Sequence, residues 1–112
     1  TLLTQLIINL LDNAFKYSKN QTKIHFEIIN LNNFIKIKIF NETEYIDKKK
    51  IKNIFDKFYR FEDTNDISGS GIGLAICKSI VKLHNGDIKA IPEHNGILIE
   101  IELPMVKRAN LL

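Results

Sequence analysis

The 112-residue chain has a single cysteine, Cys77, so no disulfide framework can form within it. Its length suits one domain that buries a core without such staples. A lone cysteine in a helical pattern reads as a small core residue. Charge of one sign is also lacking. Sixteen Lys and Arg face thirteen Asp and Glu, leaving +3, too little to argue for a nucleic-acid partner. Lys36 and Lys38 alternate along a strand pattern and read as a solvated face. No apolar run is long enough to span a membrane, and no signal-peptide pattern is present. His25, His84 and His94 do not cluster, so neither a metal-ligand spacing nor a nucleophile–base pair is visible among them. There is no internal repeat and no domain boundary. What is there, 45% apolar and 26% charged residues, is the composition of a soluble globular domain.

Residues 2–17 carry Leu3, Leu6, Ile7, Leu10, Leu11 and Ala14 at helical spacing. Two alternating stretches follow, 22–29 with Ile24, Phe26 and Ile28, and 34–40 with Ile35, Ile37 and Ile39. They predict an antiparallel hairpin with one wet face. Asp47 is a plausible N-cap for a short helix carrying Ile51, Ile54, Phe55 and Phe58. Residues 60–71 are polar and read as a loop. Residues 72–84 predict a second amphipathic helix with Ile72, Ile76, Ile80 and Leu83 inward and Gly86 at its C′ position. Strands at 87–91 and 97–103 would close the chain around Asn95-Gly96. Runs of antiparallel strands with helices on one face make an α+β two-layer sandwich.

Two stretches invite chemistry. Asn9, Asn13 and Lys16 are spaced i, i+4, i+7 on the first helix, a stripe about 60° wide with Gln5 on the same side. They are either surface residues facing water or the lining of a site. Carboxamide oxygens can ligate Mg²⁺, and a lysine can meet phosphate charge. The second stretch is GSGIGLAI at 69–76. No strand precedes it and its third glycine comes one position early, which excludes a dinucleotide fingerprint; no lysine follows for a Walker A loop. What remains is a loop whose amides run into a helix N-terminus, suited to an anion, or a plain flexible linker.

Taken together, these segments resemble a known family. NLLDNAFKYS at 9–18 resembles the N box of the catalytic, ATP-binding domain of sensor histidine kinases. IFDKFYRF at 54–61 is similar to its F box, and GSGIGLAICKSIVKLHNG at 69–86 to its second glycine box and following helix. Their order and spacing also match, over nearly the whole chain up to Pro104. The wider superfamily includes gyrase, the heat-shock chaperone and MutL ATPases. The resemblance implies a Bergerat-type fold: a mixed, mostly antiparallel sheet covered on one face by about three helices. It also implies that residues 1–112 are an N-terminally truncated domain. A first strand would then be missing, leaving an exposed sheet edge. The helical hairpin bearing the phosphoacceptor histidine would also be absent, so the fragment is expected to be monomeric and inactive alone. The expected setting is the cytoplasmic part of a membrane-anchored sensor kinase, with a response regulator downstream and no nucleic acid.

Carried across, the resemblance implies that Asn13 ligates Mg²⁺ with Asn9 as second ligand or water-positioner. Lys16 would contact phosphate, and Tyr17 would cover the nucleotide. Phe55 and Phe58 would anchor an ATP lid, Arg60 would reach the γ-phosphate, and Gly69, Ser70, Gly71, Ile72, Gly73 and Leu74 would close over the phosphates. The first glycine box, roughly D-x-G-x-G-I in the family, reads Asn41-Glu42-Thr43-Glu44-Tyr45-Ile46 here. Asn41 keeps an acceptor for the adenine amino group, and Ile46 matches the apolar residue under the base. Thr43 and Tyr45 replace both glycines, which implies either a different loop path with Tyr45 at the pocket rim or reduced affinity. The expected function is transfer of the ATP γ-phosphate to a histidine on a separate domain. A degenerate module that signals by contact is the alternative that the lost glycines raise. A superfamily ATPase without phosphohistidine is a third, against which the F box and short lid argue.

Overall fold

Thr1 starts the first helix. Its Oγ1 accepts from the Thr4 N–H at 3.1 Å, which satisfies one of the orphan donors of a helix N-terminus, and its carbonyl accepts the first helical bond from Gln5 N–H at 3.1 Å. The computed structural model describes residues 1–43, 51, 54–55 and 73–105. Helix α1 spans Leu2–Tyr17, the stretch that the periodicity marks. Leu6, Leu10 and Ala14 are its buried ridge. Fully burying each leucine contributes roughly 2 kcal/mol.

Four strands follow the same logic. Strand β1 is Ile24–Leu31, β2 Phe34–Glu42, β3 Asp87–Glu93 and β4 Gly96–Pro104, in the order β1-β2-β4-β3. Every pairing among them is antiparallel, so no parallel pair makes the described sheet mixed. The two hairpin turns dictate this for β1 with β2 and for β3 with β4, because two residues cannot carry a crossover. Asn32-Asn33 joins β1 to β2, and His94-Asn95 joins β3 to β4. The second turn therefore sits one residue before the expected Asn95-Gly96. Gly96 instead opens β4 where a Cβ would collide with the Asn41 carbonyl, so glycine serves close approach there.

Register puts Ile37, Ile39 and Asn41 of β2 level with Ile101, Ile99 and Ile97 of β4. This face meets the helices, and its isoleucines are buried with Leu6, Leu10 and Ala14. The opposite face is wet, as the alternating lysines suggest. There Lys36 Nζ meets Glu100 Oε1 at 2.9 Å and Glu102 Oε1 at 3.4 Å. The hydrogen bond to Lys36 holds the Glu100 carboxyl below its ordinary range. The sheet's outer strands are β1 and β3. On β1 the helix-side residues Phe26 and Ile28 are exposed, so the helices do not cover that edge.

Helix α2 spans Gly73–Leu83 and packs on α1. Its buried residues are Leu74, Cys77, Ile80 and Val81, so only Ile80 is both buried and in the expected stripe. Ile76 is partly buried, Leu83 is 71% exposed, and Ile72 lies outside the described residues. This helix is apolar over more than half its girth, so periodicity cannot choose the face. Contact with α1 chooses it: Cys77 Sγ lies 3.9 Å from the Leu6 carbonyl. The end of α2 also differs from expectation. Asn85, at φ 60°, takes the left-handed C′ position, with Asn85 N–H donating to Lys82 O and Gly86 N–H to Val81 O. Gly86 is needed for space, since a Cβ there would strike the Glu102 carbonyl and sit 2.8 Å from Leu103 Cδ2. Of the expected short helix, Ile51 and Ile54 are described and both are buried; Asp47 and Phe58 lie outside the described residues.

Two outcomes follow from this packing. Asn85→Gly should hold or raise stability by up to about 1 kcal/mol, whereas Gly86→Ala should lower it by more than that. Chemical denaturation checks both, and the reverse order would place the left-handed residue at Gly86. Burial raises the Cys77 thiol from 9.0 to about 12. A thiol-specific disulfide reagent at about pH 8 should therefore leave the native protein unlabelled and label it in denaturant. The unfolded chain loses the thiol proton first as pH rises, so this group's stabilising contribution is whole below pH 9.0 and is lost towards about 12. The stability gap between wild type and Cys77→Ala should narrow over that window.

Candidate functional site

Burial of the Leu6-Leu10-Ala14 ridge fixes the rotation of α1 about its axis. Asn9, Asn13 and Lys16 then sit about 90° around from it. That places them at the border of the core, and Asn9 and Asn13 are half-buried. Along the axis Asn13 lies about 6 Å and Lys16 about 10.5 Å beyond Asn9. Lys16 Nζ meets Asp12 Oδ2 at 3.1 Å, both side chains being partly exposed. An exposed i, i+4 pair of this kind contributes roughly 0.3–0.5 kcal/mol, so an anion can displace it at low cost. Asp12 escaped the sequence reading, although a carboxylate four residues before the lysine was the available signal.

The end of α1 is tied to the end of β2. Tyr17 is its last residue, Ser18 N–H donates to Ala14 O at 2.9 Å, and Lys19 N–H donates to Glu42 O at 2.7 Å. Beside that tie stands Asn41, 5% exposed, in register with Ile24 on β1 and Ile97 on β4. Thr43 N–H donates to Asn95 O at 3.1 Å, and Asn95 Nδ2 donates to Glu42 Oε1 at 3.1 Å. Thr43 is not among the described residues with positive φ, which are Gln21, Asn32 and Asn85. The first replaced glycine therefore stands where an ordinary residue is tolerated.

Three buried side-chain polar atoms here lack a partner among the described residues: Asn9 Nδ2, Ser18 Oγ and Asn41 Nδ2. A buried unsatisfied group costs about 1–3 kcal/mol, so pairing these three atoms with water or with a polar ligand is favourable. Ser18 closes the helix where the apolar pattern stops. Among the described residues no group of three or more His, Cys, Asp or Glu is placed to hold a metal. A cation at these residues would instead take carboxamide oxygens, a hard donor set suited to Mg²⁺. The donor set and the orphaned amides fit a magnesium nucleotide.

The described part of α2 begins at Gly73. A Cβ at Gly73 would meet nothing within 4 Å. Leu74 is 9% exposed and points into the core, so only its backbone is free to meet a ligand. Phe55 packs partly against that core. Tyr45, Ile46, Phe58, Arg60, Gly69, Ser70, Gly71 and Ile72 lie outside the described residues.

A family model described as "Histidine kinase-, DNA gyrase B-, and HSP90-like ATPase" matches residues 1–107. The chain belongs to that family. The sensor protein KdpD of Clostridium acetobutylicum is 40% identical over 100 residues, covering 86% of this chain and 11% of KdpD. The sensor protein kinase WalK of Staphylococcus haemolyticus is 39% identical over 107 residues, 91% of this chain and 18% of that protein. The chain thus spans less than a fifth of the length of these relatives. The mycobacterial sensor histidine kinase MprB superposes with a TM-score of 0.81 at 27% identity, covering 92% of this chain and 72% of that one. The chain is a histidine kinase-type ATP-binding catalytic domain. No helix among its described residues is long and apolar enough to cross a membrane.

An orphaned amide is a stability cost that its removal should relieve. Asn9→Ala should leave the melting temperature unchanged or raise it, by about 0.5 kcal/mol of helix propensity plus the removed unsatisfied donor. Thermal unfolding checks this, and a loss above about 1 kcal/mol would show that Asn9 is a structural residue.

Proposed function

We propose that this domain binds Mg-ATP and delivers its γ-phosphoryl group to a histidine on a separate dimerisation domain of a two-component sensor. A response regulator would then receive the phosphoryl group. The observation that supports this best is the pair of buried, unpartnered amides: Asn9 Nδ2 on α1 and Asn41 Nδ2 at the end of β2. They fall in the segments that resemble the N box and the first glycine box.

The resemblance to the family's boxes, with the positions of the described residues, supports the following roles. Asn13 offers a carboxamide oxygen to magnesium, with Asn9 one turn earlier as second ligand or water-positioner. Lys16 leaves Asp12 and meets phosphate. Tyr17, at the helix end, covers the nucleotide, and Asn41 meets the edge of the base. The backbone at Gly73 and Leu74, with Gly69, Ser70, Gly71 and Ile72 of the glycine-rich sequence, would close over the phosphates. Tyr45, Ile46 and Phe58 would complete the pocket wall and lid anchor, and Arg60 would approach the γ-phosphate. Bound magnesium would supply charge neutralisation at the phosphate oxygens. The protein's own contribution is positioning and electrostatics rather than covalent chemistry. The imidazole nucleophile comes from outside these residues. The setting proposed is the cytoplasmic part of a membrane-anchored sensor.

Asn13→Ala in the full-length protein should reduce autophosphorylation from ATP at least about tenfold, or 1.4 kcal/mol of transition-state stabilisation. Radiolabel incorporation into an acid-labile phosphohistidine measures it. Wild-type incorporation by the variant would contradict the assigned role, and ATP hydrolysis without any phosphohistidine would support a plain ATPase.

A further inference from the structure

We propose that Asn41 lets the site accept 6-oxopurine nucleotides, such as those of hypoxanthine, alongside adenine ones. The inference rests on the nucleotide reading above and concerns which base that site selects. Asn41 lies in an interior strand, paired on one side with β1 and on the other with β4. Gly96 presses against its carbonyl, so its backbone has no room to shift. Its side chain is 5% exposed and its Nδ2 has no partner among the described residues. Its neighbours in register, Ile24 and Ile97, offer nothing to fix which end of the amide leads.

The chemistry follows from the group. A carboxylate here would only accept hydrogen bonds, so it would take a 6-amino group and repel a 6-oxo group. A carboxamide both donates and accepts, and half a turn about its last torsion exchanges the two. It can accept from the 6-amino group of adenine. It can equally donate Nδ2–H to the 6-oxo group of hypoxanthine. Discrimination at a desolvated site comes from leaving a polar group unpaired. The amide leaves neither 6-substituent unpaired, so the discrimination is lost.

The test is calorimetric titration of the full-length protein, in Mg²⁺, with non-hydrolysable analogues of ATP and of inosine triphosphate. The expected result is two affinities within about tenfold of each other. Asn41→Asp should widen the preference for the adenine analogue at least about tenfold, whereas Asn41→Ala should weaken both alike. Asn41→Ala keeps the test decisive if the buried charge of Asn41→Asp prevents folding. A wild-type preference for the adenine analogue above about tenfold, or a preference that Asn41→Ala shifts towards one base, would overturn the proposal and leave the ATP reading standing. Binding of neither analogue would overturn both.

Discussion

Rotation of α1 is the constraint on which the site depends. Leu6, Leu10 and Ala14 are buried to 1% exposure or less, and they leave the helix one way to sit. Every other residue of α1 is then assigned its direction. Asn9 and Asn13 fall at the edge of the core, where an amide is half desolvated, and Lys16 beyond them is exposed with its head paired to Asp12. Ile8 and Phe15, on the far side, stay exposed. A slip of the ridge by one residue would turn the stripe by about 100° and dismantle the constellation. Cys77 and Val81 of α2 help to hold the ridge in place, which is why residues far from any ligand matter to it.

The second half of the site is built by a different device. β2 lies between β1 and β4, and its C-terminal end is pinned by Lys19 N–H, by the Thr43–Asn95 bond and by the close approach of Gly96. Sheet pairing delivers Asn41 to the helix-facing side with the same parity as Ile37 and Ile39. A polar residue in an isoleucine register opposes stability, as does the unsatisfied amide of Asn9. One cost lies on α1 and the other near the end of β2, and the well-packed core around Leu6, Leu10, Ile39 and Ile101 offsets them. Local conflict with the fold's own rules is what a binding site is expected to carry.

Much of this was legible from sequence because it is local. α1 runs over the residues that its periodicity marks, and the strand alternation places Ile37 and Ile39 inward. The misses were tertiary. The buried face of α2 turned because a helix apolar on more than half its surface takes its direction from its neighbour. Asn85 rather than Gly86 took the left-handed position, because two residues there tolerate it and only one has no room for a Cβ. The carboxamide stripe was visible since one helix carries it. Asn41 was reached through resemblance, although the Ile35, Ile37, Ile39 alternation carried one step past residue 40 puts it on the buried face. The orphaned Ser18 hydroxyl gave no signal in a pattern of apolar spacing.

If the α1 stripe and Asn41 serve one nucleotide, a crystal structure of the full-length protein with Mg²⁺ and a non-hydrolysable ATP analogue will show both ends of it. The metal should lie on the Asn13 carboxamide oxygen, and the base edge within hydrogen-bond distance of the Asn41 amide. A nucleotide bound elsewhere, with Asn9 and Asn41 still unpartnered, would contradict it.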